Sequence, residues 1–135
     1  MNLPEGLVKK IMLFLFSVFF ISAGIDHFVN PGFYLAIMPP AFPLHLEAVY
    51  ISGFFEILGG AGLLFSRLRK ISGWGLFALL ISVYPANIYM AISPEAFPDI
   101  SVSALYFRLL LQFVFFYWAY SLTKPAFNPP RNEYK

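Results

Sequence analysis

Six polar residues sit inside or at the ends of long apolar stretches: Asp26, His27, Glu56, Asn87, Arg108 and Gln112. Two carboxylates, a guanidinium, two carboxamides and an imidazole are groups that hold a polar head group or pass a proton. Glu56 stands as the one charge in "ISGFFEILGGAGLLF", residues 51–65. A charge at the centre of a membrane helix costs about 2.5–3.5 kcal/mol, so leaving Glu56 and Arg108 both unpaired wastes several kcal/mol. The sequence therefore predicts a Glu56–Arg108 ion pair, or a short hydrogen-bonded chain between them through Asn87 or Gln112. In the functional reading, Arg108, Asn87 and His27 donate to carbonyls of a bound molecule, while Glu56 orients Arg108 and takes or gives a proton. In the plainer reading the pair is a clamp that fixes helix register, and His27 caps or anchors the end of its helix at the interface.

Other chemistry is not supported. The chain has no cysteine, hence no disulfide, no thiol exchange of its own and no thiolate metal site. His27 and His45 come without a haem motif, and no metal-ligand spacing is visible. No nucleophile, base and orienting group stand together, so the sequence does not describe a stand-alone catalyst. The net charge of +2 is too small to point to nucleic acid.

The elements that must carry these residues follow from composition. Apolar residues make up 59% of the chain and charged residues 12%, against roughly 45–50% and 25% in soluble domains. Too few polar side chains remain to cover a water-soluble fold, and the expected solvent is lipid. Four apolar stretches, residues 11–29, 48–66, 71–92 and 102–123, are each long enough to cross a hydrocarbon core of about 30 Å as a helix. The expected fold is an all-α membrane protein, a bundle of four transmembrane helices over residues 11–123. It lies between a short N-terminus, 1–10, and a mostly unstructured tail, 124–135.

Charge sets the orientation. Lys9 and Lys10, then Arg67, Arg69 and Lys70, then Lys124, Arg131 and Lys135 all fall at one end of a four-span bundle. The opposite loops, 30–47 and 93–101, contain no lysine or arginine. The positive-inside rule places both termini and the middle loop in the cytoplasm, and the expected location is a bacterial inner membrane. On that arrangement Glu56 lies about 12 Å, Arg108 about 9 Å and Asn87 about 7 Å below the outer helix ends. Asp26 and His27 close the first span. The strongly polar side chains thus share the outer half, and the proline- and aromatic-rich loop 30–47 lies along that interface or folds over the bundle mouth.

Face matters as much as depth. Gly53, Glu56 and Gly60 are spaced i, i+3, i+7, so the glutamate shares a stripe with glycines, where another membrane helix packs closely. Gly59, in the same glycine cluster, reads as packing. Arg108 and Gln112 share one face of the last span. Pro85 frees the carbonyl of Ile81, which then needs a new partner. The run "FVFFYWAY", residues 113–120, reads as lipid-facing and interfacial surface.

Taken together and in order, "GIDHF" with "NP", "SGFFEILGGAGLL", "GWGL", "YPANIYM" and "RLLLQFVFFYWAY" resemble the DoxX-like family of small four-helix integral membrane proteins. The resemblance covers nearly the whole chain. It implies a compact four-helix bundle, an association with quinone- or thiol-linked redox systems, and polar motif positions at His27, Glu56, Asn87, Arg108 and Gln112. The expected function is accordingly a membrane protein that binds a small amphipathic ligand such as a quinone in an outer-half polar pocket, as an accessory subunit of a redox system. Its expected partners are the bilayer, that ligand, and a protein partner or a second copy. Two other classes fit the residues: an adaptor or chaperone for other membrane proteins, in which the polar cluster is only a clamp, and a proton-coupled transporter built around Glu56.

Overall fold

The computed structural model describes residues 3–40 and 43–130. Arg131 and Lys135, counted above among the charges that set orientation, lie outside the described residues. The described chain is helical, without strands: α1 (Leu7–Val29), α2 (Pro31–Ile37), α3 (His45–Gly62), α4 (Arg69–Ile92), a 3-10 turn (Pro94–Ala96) and α5 (Val102–Ser121). α1, α3, α4 and α5 correspond to the four apolar stretches, with boundaries moved by a few residues.

α1, α4 and α5 are long and apolar enough to cross a membrane; α3 is not. Its 18 residues include Glu47, Glu56 and four glycines, which lower its apolar content, and the helix stops at Gly62 instead of running to Ser66. Their outward faces are covered with large apolar side chains, from Leu15 and Val18 on α1 to Leu110 and Val114 on α5. A water-soluble monomer rarely exposes apolar surface on that scale.

Two kinds of seam hold the helices together. α1 and α3 touch backbone to backbone. A Cβ added at Gly24 would stand 2.6 Å from the Gly53 carbonyl, and one at Gly60 would stand 2.9 Å from the Ser17 carbonyl. Ser17 Oγ donates across this seam to the Gly60 carbonyl. The glycine stripe on α3 therefore packs closely on a neighbouring helix, as its spacing predicts, and that helix is α1. Gly59 faces the other way, against Leu76 of α4.

α5, by contrast, stands off from α1 on aromatic rings: Phe16 against Trp118 with centroids 4.7 Å apart, and Phe19 stacked on Phe115 at 5.0 Å. The aromatic run of α5 is thus split between two faces. Phe113 and Tyr117 are exposed as expected, but Phe115, Phe116 and Trp118 pack against the core. A period of 3.6 residues sends part of any continuous aromatic run inward.

Residues 124–128 depart from the expected unstructured tail. Phe127 is buried in the main core cluster, and the Asn128 amide donates to the carbonyls of Leu122 and Lys124. Arg69, read from sequence as a flanking charge, is fully buried at the first turn of α4. Its Nε donates to the Leu63 carbonyl, just past the end of α3, and its Nη1 to the Phe127 carbonyl, at 2.8 and 2.9 Å. One side chain therefore satisfies a helix-end carbonyl and holds the returning tail.

Candidate functional site

At the end of the bundle opposite the basic residues, the helices part around a cavity of about 600 Å³. Its walls are mostly apolar. His27, Glu56, Asn87, Arg108 and Gln112 all line it. Five of the six polar residues singled out in the sequence therefore meet in one hollow, brought there from α1, α3, α4 and α5. Asp26 does not line it and acts from behind.

The pairing inside the cavity differs from expectation. Glu56 does not pair with Arg108; its Oε2 lies 3.2 Å from His27 Nε2, close but not aligned as a full hydrogen bond. The reason is the glycine seam. Glu56 shares the α3 face with Gly53, a Cβ at Gly53 would sit 2.7 Å from His27 Cβ, and the imidazole is therefore the nearest polar group. The ring is held from two further sides. Nδ1 donates to the Val49 carbonyl at 2.9 Å, and Tyr34 lies over it with centroids 3.8 Å apart.

Asn87 and Gln112 are joined as a chain. Asn87 Nδ2 donates to Gln112 Oε1 at 2.8 Å, and Gln112 Nε2 donates to the Leu80 carbonyl at 2.9 Å. The helix continues through Pro85, and the carbonyl served is that of Leu80 instead of Ile81. Leu80 is buried on the face toward α5, whereas Ile81 points outward. This chain connects α4 to α5 and reaches neither Glu56 nor Arg108.

Arg108 is left over. Its Nε is buried without a hydrogen-bond partner, and its guanidinium lies 5.9 Å from the centre of the Phe33 ring. Burial makes its charge costlier to hold than in water, and the ring face offsets only part of that cost.

Phe33 and Tyr34 come from α2, in the loop expected to lie along the interface or fold over the bundle mouth; it folds over. Pro31 at the first helical position starts α2 with a pre-set φ. The Tyr34 hydroxyl donates to Asp26 Oδ2 at 2.6 Å, while Asn30 donates to Oδ1 of the same carboxylate. Sequence reading missed Tyr34 because a tyrosine in a proline-rich loop looks like an interfacial anchor. The available signal was the adjacent Asp26-His27 pair, which offers a hydroxyl acceptor and a ring face side by side.

Burial, then the bond to Asp26, raise the ionisation of Tyr34 well above the ordinary tyrosine range. The neutral phenol is thus favoured by the fold. Its contribution to stability is complete below about pH 10, the ordinary tyrosine value, and is lost as pH rises further through the raised one. Replacing Tyr34 by Phe should remove one late-titrating tyrosine from the ultraviolet pH titration. It should also flatten the alkaline fall in melting temperature. An unchanged titration curve would contradict the Tyr34–Asp26 bond.

No curated protein and no solved structure matches this chain. A family model described as Domain of unknown function (DUF8561) matches residues 16–123, from the middle of α1 to just past α5. Because that match covers most of the chain, including α3, α4, α5, the second half of α1 and every residue lining the cavity, the chain belongs to the DUF8561 family.

Proposed function

We propose that this chain is a four-span membrane protein that binds a small amphipathic molecule, head group first, in the cavity at its loop end. The observation that carries the reading is the convergence of five polar side chains from four helices on one mostly apolar cavity of about 600 Å³. Ligand sites fall in this size range and have this mix of apolar wall and few polar groups. Arg108 supplies unused donors, and the His27–Glu56 pair supplies a proton-holding group beside them. A quinone head group, with carbonyls that accept hydrogen bonds, is the candidate that the DoxX-like resemblance suggests, and the chain would then serve as an accessory subunit of a membrane redox system.

Four crossings rest on α3, about 27 Å long at the helical rise, spanning while shielded by α1 and α4. Both termini lie in the cytoplasm of a bacterial cell, the cavity opening near the outer face of the inner membrane. The support is that Lys9, Lys10, Arg67 and Lys70 share the end opposite the cavity.

The test is mass spectrometry of an organic extract from gently solubilised, purified protein. A quinone or other defined small molecule should be present in the wild type. It should be missing from the doubly substituted Glu56→Gln, Arg108→Gln protein, provided that protein melts normally. An extract identical in both would remove the cavity from consideration as the binding site.

One observation favours a second reading, a membrane adaptor or chaperone. α3 is the least apolar long helix, yet it exposes Phe54, Phe55 and Leu58. A partner helix laid on that face would shield it, and polar substitutions at Phe54 and Phe55 would then release a co-purifying membrane protein.

A further inference from the structure

The cavity does not end at its polar groups. A second hollow of about 590 Å³ runs along the seam of α3 and α4, and the two share Leu79 and Ser82 as walls. Phe55, Leu58 and Ile71 form its sides, and Gly59, Gly75 and Ala78 leave the room. Between Ser82 and Ile71 the seam is about 16 Å long at the helical rise. It is apolar, borders the polar cavity at Leu79 and Ser82, and lies open along Phe55, Leu58 and Ile71, the form of a groove for one alkyl chain.

Geometry also fixes the charge at the polar end. His27 Nδ1 carries a proton, because its partner is a carbonyl and carbonyls only accept. Nε2 and Glu56 Oε2 are 3.2 Å apart, close enough that one proton held by either group is favoured over two facing unprotonated atoms. Holding one proton there, the pair is neutral as a unit. Asp26 lies outside the lining, its two oxygens taken by Tyr34 and Asn30. Among the described residues lining the cavity, Arg108 is then the one uncompensated charge.

We propose that the cavity and the groove together bind a long-chain carboxylate, its head group on Arg108 and its chain along the α3–α4 seam. This rests on the preceding reading of the cavity as a site for an amphipathic head group and puts a carboxylate in the place of the quinone. A guanidinium meets a carboxylate through two parallel hydrogen bonds, which a neutral ester or quinone cannot reproduce. The single groove selects one chain, and so a fatty acid over a two-chain lipid.

The test is native mass spectrometry of the full chain, titrated separately with palmitate, octanoate, methyl palmitate, a short-chain ubiquinone analogue and lysophosphatidate. Arg108→Gln should weaken palmitate about tenfold or more, the worth of a charge-assisted pair. Methyl palmitate should bind the wild type about tenfold more weakly than palmitate, for the same reason. A second variant probes the chain. A Cβ at Gly75 meets nothing within 4 Å, so Gly75→Leu fills the groove without moving a helix. It should weaken palmitate about fivefold while octanoate changes less than about twofold, since only the long chain reaches that depth. Equal binding of methyl palmitate or of the ubiquinone analogue would overturn the anionic head group while leaving the cavity a ligand site. Tighter binding of lysophosphatidate would overturn the carboxylate in favour of a lipid phosphate. An unaffected Gly75→Leu protein would overturn the groove. Failure of every probe to bind would overturn both this inference and the reading beneath it.

Discussion

Gly53→Leu is expected to collapse the α1–α3 seam, lowering stability by about 3 kcal/mol or more, at or beyond the upper end of the usual overpacking range. A Cβ at this position would stand 2.7 Å from His27 Cβ and 2.9 Å from the Gly24 carbonyl. The second obstacle is backbone, which cannot swing aside as a side-chain tip can. Accommodation requires α1 and α3 to part, and parting them carries the imidazole away from Glu56. The measurement is thermal unfolding in mild detergent, alongside Gly75→Leu, where the added Cβ meets open space. A Gly53→Leu protein that melts with the wild type would show that the two helices do not approach as closely as described.

Arg69→Leu is expected to cost a similar amount by a different route. The guanidinium is fully buried and donates to the carbonyls of Leu63 and Phe127. Leucine leaves both acceptors without that donor in an apolar setting, each at about 1–3 kcal/mol. It also fills less of the space. Arg69→Lys should recover only part, since a single ammonium on a flexible stem lacks the fork that reaches two separated carbonyls. Two readouts separate this from general damage: the melting temperature, and limited chymotrypsin cleavage after Phe127, whose ring is buried in the wild type. The tail should become the first cleavage site in Arg69→Leu. A protected tail at an unchanged melting temperature would mean that the buried arginine does not hold it.

The sequence revealed the gathering of the site more clearly than its wiring. Glu56, Asn87, Arg108 and Gln112 could be assigned to one end because depth along a helix is simple arithmetic, and all line one cavity. Their partners could not be assigned. Whether Glu56 meets Arg108 or His27 depends on which neighbour lies close, and that follows from Gly24 and Gly53 letting α1 approach α3 to backbone contact. The glycine stripe announced a close partner without saying which helix it would be. Arg69 was read by its place in a basic cluster, where a flanking charge and a buried staple look alike. α2 was hidden for a related reason: seven residues give too little periodicity to register as a helix, so a loop over the bundle mouth could be expected but not the helix or the part Tyr34 plays in it.

The unequal seams also imply an order of birth. Ser17 waits for Gly60, 43 residues later, before its bond can close, and Asn87 waits 25 residues for Gln112. A chain made from its N-terminus therefore completes one hairpin, α1 with α3, while α5 is still unmade. α4 then packs on α3 through Leu76 and Gly59, and α5 closes the bundle when Phe115 and Trp118 meet Phe16 and Phe19. The cavity, lined from α1, α3, α4 and α5, does not exist until that moment. Whatever fills it arrives as the final component of assembly, and a chain halted before α5 has no place to hold it.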